Sequence, residues 1–191
     1  MAAKTLLIPV AALGEAGKIG FLELAVEPAN AQVSPHDPFQ GLAQPGLEEA
    51  EAAARRAWQA VPPPLAVQVR VASPCFGLTN STGAALGLAL CPFLCAPAAA
   101  YRVAMVMGSL EVDGANGLIS IGAVSQLAEK LRAIRLRGYR QPPSLLIYAD
   151  DGSDEARREA SGLAALNIAV RRVVNFTQAC RACDGGPDWA N

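Results

Sequence analysis

The feature that most restricts how this chain can fold is the run from 83 to 100, GAALGLALCPFLCAPAAA, which carries no charged side chain. It approaches the roughly 20 apolar residues needed to cross a bilayer, but Pro92 and Pro97 interrupt it and Gly87 lies within it. Proline lacks the amide hydrogen that a helix interior uses. The run therefore reads as a helix of small residues over 81–90 followed by a turn, and not as a membrane span. A helix that is apolar on every side has to be covered by protein on every side. The remainder of the chain is expected to supply that cover.

With 191 residues there is enough chain for one domain whose core needs no disulfides. A composition that is 52% hydrophobic and 17% charged suits a compact core and not a disordered tail. Residues 1–191 read as a single domain, with an N-terminal strand or extension over 1–19 and a tail over 184–191. Leu22, Leu24 and Val26 alternate with Glu23 and Glu27, and Val67, Val69 and Val71 alternate with Gln68 and Arg70, the period of half-buried strands. Between them lie a Pro- and Gly-rich loop over 28–46 and a helix of Ala, Glu and Arg over 47–61, stopped by Pro62, Pro63 and Pro64. After the small-residue helix come strands at 101–107, 110–112 and 118–121, with a glycine-rich turn at 113–117. A helix at 125–136, a buried strand at 145–148, a helix at 154–166, a strand at 168–174 and a last helix ending near Cys183 complete the order. Strands alternating with helices predict an α/β (α+β) fold, a mixed sheet with helices packed on it.

The net charge of −1 and a pI near 5.9 argue against DNA or RNA as partner. The first ten residues hold one lysine and a short apolar run ending at Pro9 and Val10, too short for a signal peptide or a span. Five cysteines without an export signal point to reduced thiols and a cytoplasmic setting. Cys91 with Cys95 and Cys180 with Cys183 have spacings a zinc site could use, although cysteines on an apolar helix more often serve as small hydrophobes. The one histidine, His36, sits in a proline-rich loop, so a histidine-based triad has little material. No metal or cofactor is expected.

Two other residues have the chemistry that histidine would supply. Ser81 opens the small-residue helix, where first-turn N–H groups are unpaired and can stabilise an oxyanion; serine is also a common N-cap. Lys130 lies in the 125–136 helix, where Leu127, Leu131 and Ile134 make one apolar stripe. At about 100° per residue it falls roughly 65° from the centre of that stripe, at the border of the core. A lysine there either snorkels to solvent or sits in a dry pocket where desolvation lowers its pKa toward that of a usable base. Together the two residues suit nucleophilic catalysis in which a neutral amine takes the serine proton.

The ordered segments 80–86 (NSTGAAL), 103–114 (VAMVMGSLEVDG), 119–122 (ISIG), 127–133 (LAEKLRA), 144–148 (SLLIY) and 168–174 (IAVRRVV) resemble the Lon-type serine peptidase domain, over essentially residues 20–183. The resemblance implies a Lon proteolytic-domain-like sheet, with a β-α-β topology shared with ribosomal-protein-like and GHMP-kinase folds. It implies Ser81 as nucleophile, Lys130 as general base, and Asn80, Thr82 and Gly83 as backbone support for the oxyanion. It also implies unfolded protein or peptide as substrate, a homo-oligomeric and usually hexameric ring and, since no complete Walker motif is present, either a separate ATP-driven unfolding subunit or unaided action on unfolded or small targets. Three positions differ from the family pattern: Leu78 stands in place of an acidic residue, Asn80 in place of proline, and Met107 in place of the threonine that hydrogen-bonds the lysine. The interval between Ser81 and Lys130 is also longer than usual. These departures favour the alternative, a non-catalytic Lon-like scaffold or interaction module. The phosphate-loop-like segment 14–18 (GEAGK) lacks the full spacing, and a GHMP kinase would need a second subdomain. Arg132, Arg135, Arg137 and Arg140 read as a solvated helix face or a partner contact.

Overall fold

The computed structural model describes residues 3–11, 18–29, 38–39, 42, 44–73, 82–113, 118–137 and 141–185. Among them the elements run β1 (Lys4–Ala11), β2 (Ile19–Pro28), α1 (Glu48–Ala60), β3 (Val67–Ser73), α2 (Thr82–Leu94), β4 (Val103–Met107), β5 (Ser109–Val112), β6 (Ile119–Gly122), α3 (Leu127–Leu136), β7 (Leu145–Ala149), α4 (Asp154–Ala164), β8 (Ala169–Val173) and α5 (Phe176–Cys183). Six strands form one mixed sheet in the order β3-β2-β1-β4-β7-β8, and β5 pairs with β6 as a separate hairpin. β1, β4, β7 and β8 run parallel, while β2 and β3 join antiparallel.

Side chains alternate across the pleat, so each strand feeds two cores. Leu6, Ile8, Ala104, Val106, Leu145 and Ile147 face one way and meet α1, α2 and α5. Leu7, Met105, Met107, Leu146 and Tyr148 face the other way and meet α3 and α4. The sheet is thus sandwiched between two helical layers. α2 lies within the first layer, and every residue of it from Gly83 to Leu94 is buried. Gly87 is what allows that: a Cβ there would stand 2.8 Å from Ile8 Cδ1 and 3.3 Å from Leu6 Cδ2, so α2 lies directly on β1.

Two prolines sit deeper in regular structure than their sequence context suggests. α2 continues past residue 90, through Pro92, to Leu94. Proline removes only its own amide bond, close to the C-terminus, and Lys4 Nζ donates to the carbonyls of Leu94 and Ala99 at 2.6 Å each, satisfying acceptors at that end. Pro9 lies inside β1, in the middle of the sheet. Thr5 N–H donates toward β4, to Arg102 O, so odd-numbered residues of β1 turn their amides to that side. β1 pairs with β4 only over Thr5 to Leu7, and the missing amide of Pro9 falls beyond that pairing. Among the described residues no helix is long and apolar enough to cross a membrane.

Candidate functional site

β4 ends at Met107 and the chain turns through Gly108 into the β5–β6 hairpin, which delivers it to α3. α2 begins at this same end of the sheet. A Cβ on Gly83 would meet Val124 Cγ1 at 3.1 Å and Gly108 O at 3.6 Å. Val124 in turn packs against the core beneath α3. The starts of α2 and α3, on opposite faces of the sheet, therefore meet at the C-terminal end of β4 through the Gly83–Val124 contact. No sequence signal marked Val124, because an ordinary valine before a helix looks like any other apolar residue.

α2 starts at Thr82, which is exposed, and Gly83 lies buried behind it. Leu78, Asn80 and Ser81 lie outside the described residues, as do His36, Arg140 and all but Lys18 of the 14–18 segment. Lys130 occupies the first turn of α3, where its N–H donates to Gln126 O at 3.0 Å. Gln126 itself adopts φ 55° and ψ 40°, the left-handed region that non-glycine residues enter at some cost. The turn that aims Lys130 is therefore a strained one.

Lys130 is 6% exposed and is the only buried charged residue among those described. Burial lowers its pKa from the ordinary lysine value, and among the described residues no carboxylate opposes the shift. Its helix packs Leu127, Leu131 and Ile134 into the core that also contains Met107, 1% exposed at the end of β4. Met107 gives this core a thioether, which is a poor hydrogen-bond acceptor. Lys130 is thus the buried alternative of the two weighed from sequence, and it is not a snorkelling surface lysine.

The other candidates resolve into structural roles. Cys91, Cys95, Cys180 and Cys183 are buried free thiols on α2, the turn after it, and α5. No group of three or more His, Cys, Asp or Glu side chains able to hold a metal occurs among the described residues. Burial pushes the Cys95 thiol up to about 11 and Cys180 up to about 12, with Cys91 and Cys183 also raised. Cys91 Sγ donates to Gly87 O and Cys183 Sγ to Ala179 O, so these thiols are packed as small hydrophobes. The arginines of α3 bond within the chain. Arg132 pairs with Glu155 and Glu159, Arg135 pairs with Glu159 at 2.9 Å, and the Arg137 guanidinium lies 4.3 Å from the centre of the Phe21 ring.

The sequence matches no protein-family model and no curated protein.

Proposed function

We propose that the chain is a Lon-type serine endopeptidase that uses Ser81 as nucleophile and Lys130 as general base. The observation that carries this reading is the ammonium of Lys130, the only buried charge among the described residues, destabilised in its charged form by desolvation, on a helix whose start abuts the start of α2. Lowering the pKa of an amine moves it toward the range of a usable general base. In the proposed reaction Ser81 Oγ attacks a peptide carbonyl while Lys130 Nζ takes the hydroxyl proton. Backbone N–H groups at Thr82 and Gly83 stabilise the oxyanion, and Lys130 returns the proton to the leaving amine. The substrate would be an unfolded protein or peptide, supplied unaided or by a separate ATP-driven subunit, and the working form would be a homo-oligomeric ring.

One observation favours a second reading, a Lon-like scaffold without activity. Met107 leaves Lys130 without the hydroxyl partner that the family's threonine provides, and the resemblance makes that partner part of the catalytic arrangement. Labelling with a serine-directed covalent probe separates the two. The peptidase reading expects stoichiometric modification of Ser81 and cleavage of an unfolded protein, both lost in Ser81→Ala. An unmodified Ser81 in a folded protein that cleaves nothing, even beside a candidate motor subunit, leaves the scaffold.

A further inference from the structure

At the β8 edge of the sheet, on the side covered by α3 and α4, a cavity of about 410 Å³ opens between α4 and the strands. Tyr148 and Ala160, both buried, lie at its inner end. Ser161 and Ala164 of α4 are too small to fill it, and Val170 adds an apolar surface from β8. Arg157 and Arg172, with side chains 49% and 38% exposed, stand on its solvent side.

The two arginines share one anchor. Arg157 Nε and Arg172 Nη1 both donate to Asp150 Oδ2, at 3.0 and 3.1 Å, and that carboxylate is only 10% exposed. Gly152 N–H holds the other oxygen of Asp150 at 2.9 Å. Burial opposes ionisation of Asp150, but the Gly152 N–H and the two guanidinium hydrogen bonds outweigh it and hold its pKa below the usual carboxylate range. The Asp150 carboxylate thus orients both guanidinium groups. Asp154 approaches Arg157 Nη1 at 3.7 Å but is 93% exposed, and so solvated a pair contributes little. A guanidinium has five N–H donors in a rigid fork suited to carboxylate and phosphoryl oxygens. Arg157 directs Nε to Asp150, and its side chain lines the cavity.

We infer that this cavity is a binding site for a small organic anion, a carboxylate or phosphoryl head on an apolar or aromatic body. The head would meet Arg157 and Arg172, and the body would lie against Tyr148 and Val170. None of its lining residues belongs to α2 or α3, and the inference does not depend on the peptidase reading.

The test uses the full chain with phenyl phosphate and benzoate as probes and phenol as the neutral control, followed by calorimetry and by amide chemical shifts. Saturable binding of either anion is expected, with shifts confined to Tyr148, α4 and β8, and with phenol at least about tenfold weaker. Comparison of the two anions identifies the preferred head. The double variant Arg157→Gln/Arg172→Gln should weaken the anion by about tenfold or more. Ser161→Leu, which plugs the cavity and leaves both charges in place, should do the same and serves if the double variant fails to fold. No saturable binding of either anion up to about 10 mM overturns the proposal. So does binding that is unchanged in these variants, or shifts that map elsewhere.

Discussion

A lysine ammonium held at 6% exposure, with no carboxylate beside it among the described residues, is unfavourable in its charged form because burial strips it of water. The folded-state pKa of Lys130 therefore lies below its unfolded value. Between those two values the unfolded chain binds the extra proton, so this group adds stability as pH rises toward about 10.4 and loses it as pH falls through the folded pKa. Lys130→Met, similar in volume and uncharged, should raise the unfolding free energy at pH 7 by about 1 kcal/mol in urea titrations. The gain should vanish above about pH 10.4, where the wild-type amine is neutral in both states. A less stable Lys130→Met at pH 7 would mean that the ammonium has a stabilising partner. The same depression sets the catalytic expectation. Peptidase activity should rise with pH with a midpoint below that of free lysine, vanish in Ser81→Ala and Lys130→Ala, and fail to return in Lys130→Arg, because a guanidinium stays charged. Equal cleavage by wild type and Ser81→Ala would end the dyad proposal.

At the scale of elements, the seating of α2 on β1 and the fastening of α3 to α4 decide where the candidate site stands. Gly87→Val should destabilise by about 1–3 kcal/mol, since its branches would press on Ile8 and Leu6 in a layer with no room to retreat. Gly87→Ala should fall within about 1 kcal/mol of wild type, because the gain in helix propensity offsets a clash with the mobile end of Ile8. Denaturant midpoints of the two variants check the contrast; equal effects would mean that α2 does not touch β1 as described. Glu159 ties Arg132 and Arg135 of α3 to α4, and those hydrogen bonds outweigh partial desolvation to keep its pKa low. Its contribution is present above about pH 4.3 and is lost as pH falls through the depressed folded value. Glu159→Gln should lower Tm by about 2–4 °C at pH 7 and make little difference near pH 2. A pH-independent difference would point to packing and not charge.

Over the whole molecule, the described surface leaves Leu118, Leu136, Leu166 and Val174 between 55% and 71% exposed. Leu136 and Leu166 close the adjacent helices α3 and α4 at one end of the sheet, while Leu118 and Val174 flank the bridge between Ser120 and Asn175. Apolar side chains at two separate places suit the two faces of a head-to-tail ring contact. Sedimentation velocity at micromolar concentration should show an assembly larger than a dimer, which Leu136→Glu or Val174→Glu should dissociate. A monomer at every concentration would remove the ring from the proposed function.

Much of this architecture was legible in the order of residues. The alternation at Leu22–Val26 and Val67–Val71 marked β2 and β3, and the stripe Leu127, Leu131 and Ile134 marked α3 and placed Lys130 at its border, because periodicity is a local property of the chain. Tertiary structure decided what periodicity leaves open. It made Lys130 buried and not snorkelling, since the cover over α3 comes from α4, β1 and β2, elements distant from it in the chain. It carried α2 through Pro92 and β1 through Pro9, because whether a missing amide matters depends on which neighbour would have accepted it. It paired Arg132 and Arg135 of the solvated α3 face with glutamates of α4, and it brought Tyr148, Arg157 and Arg172 around one cavity. Such contacts join residues distant in the chain, and no local pattern records them.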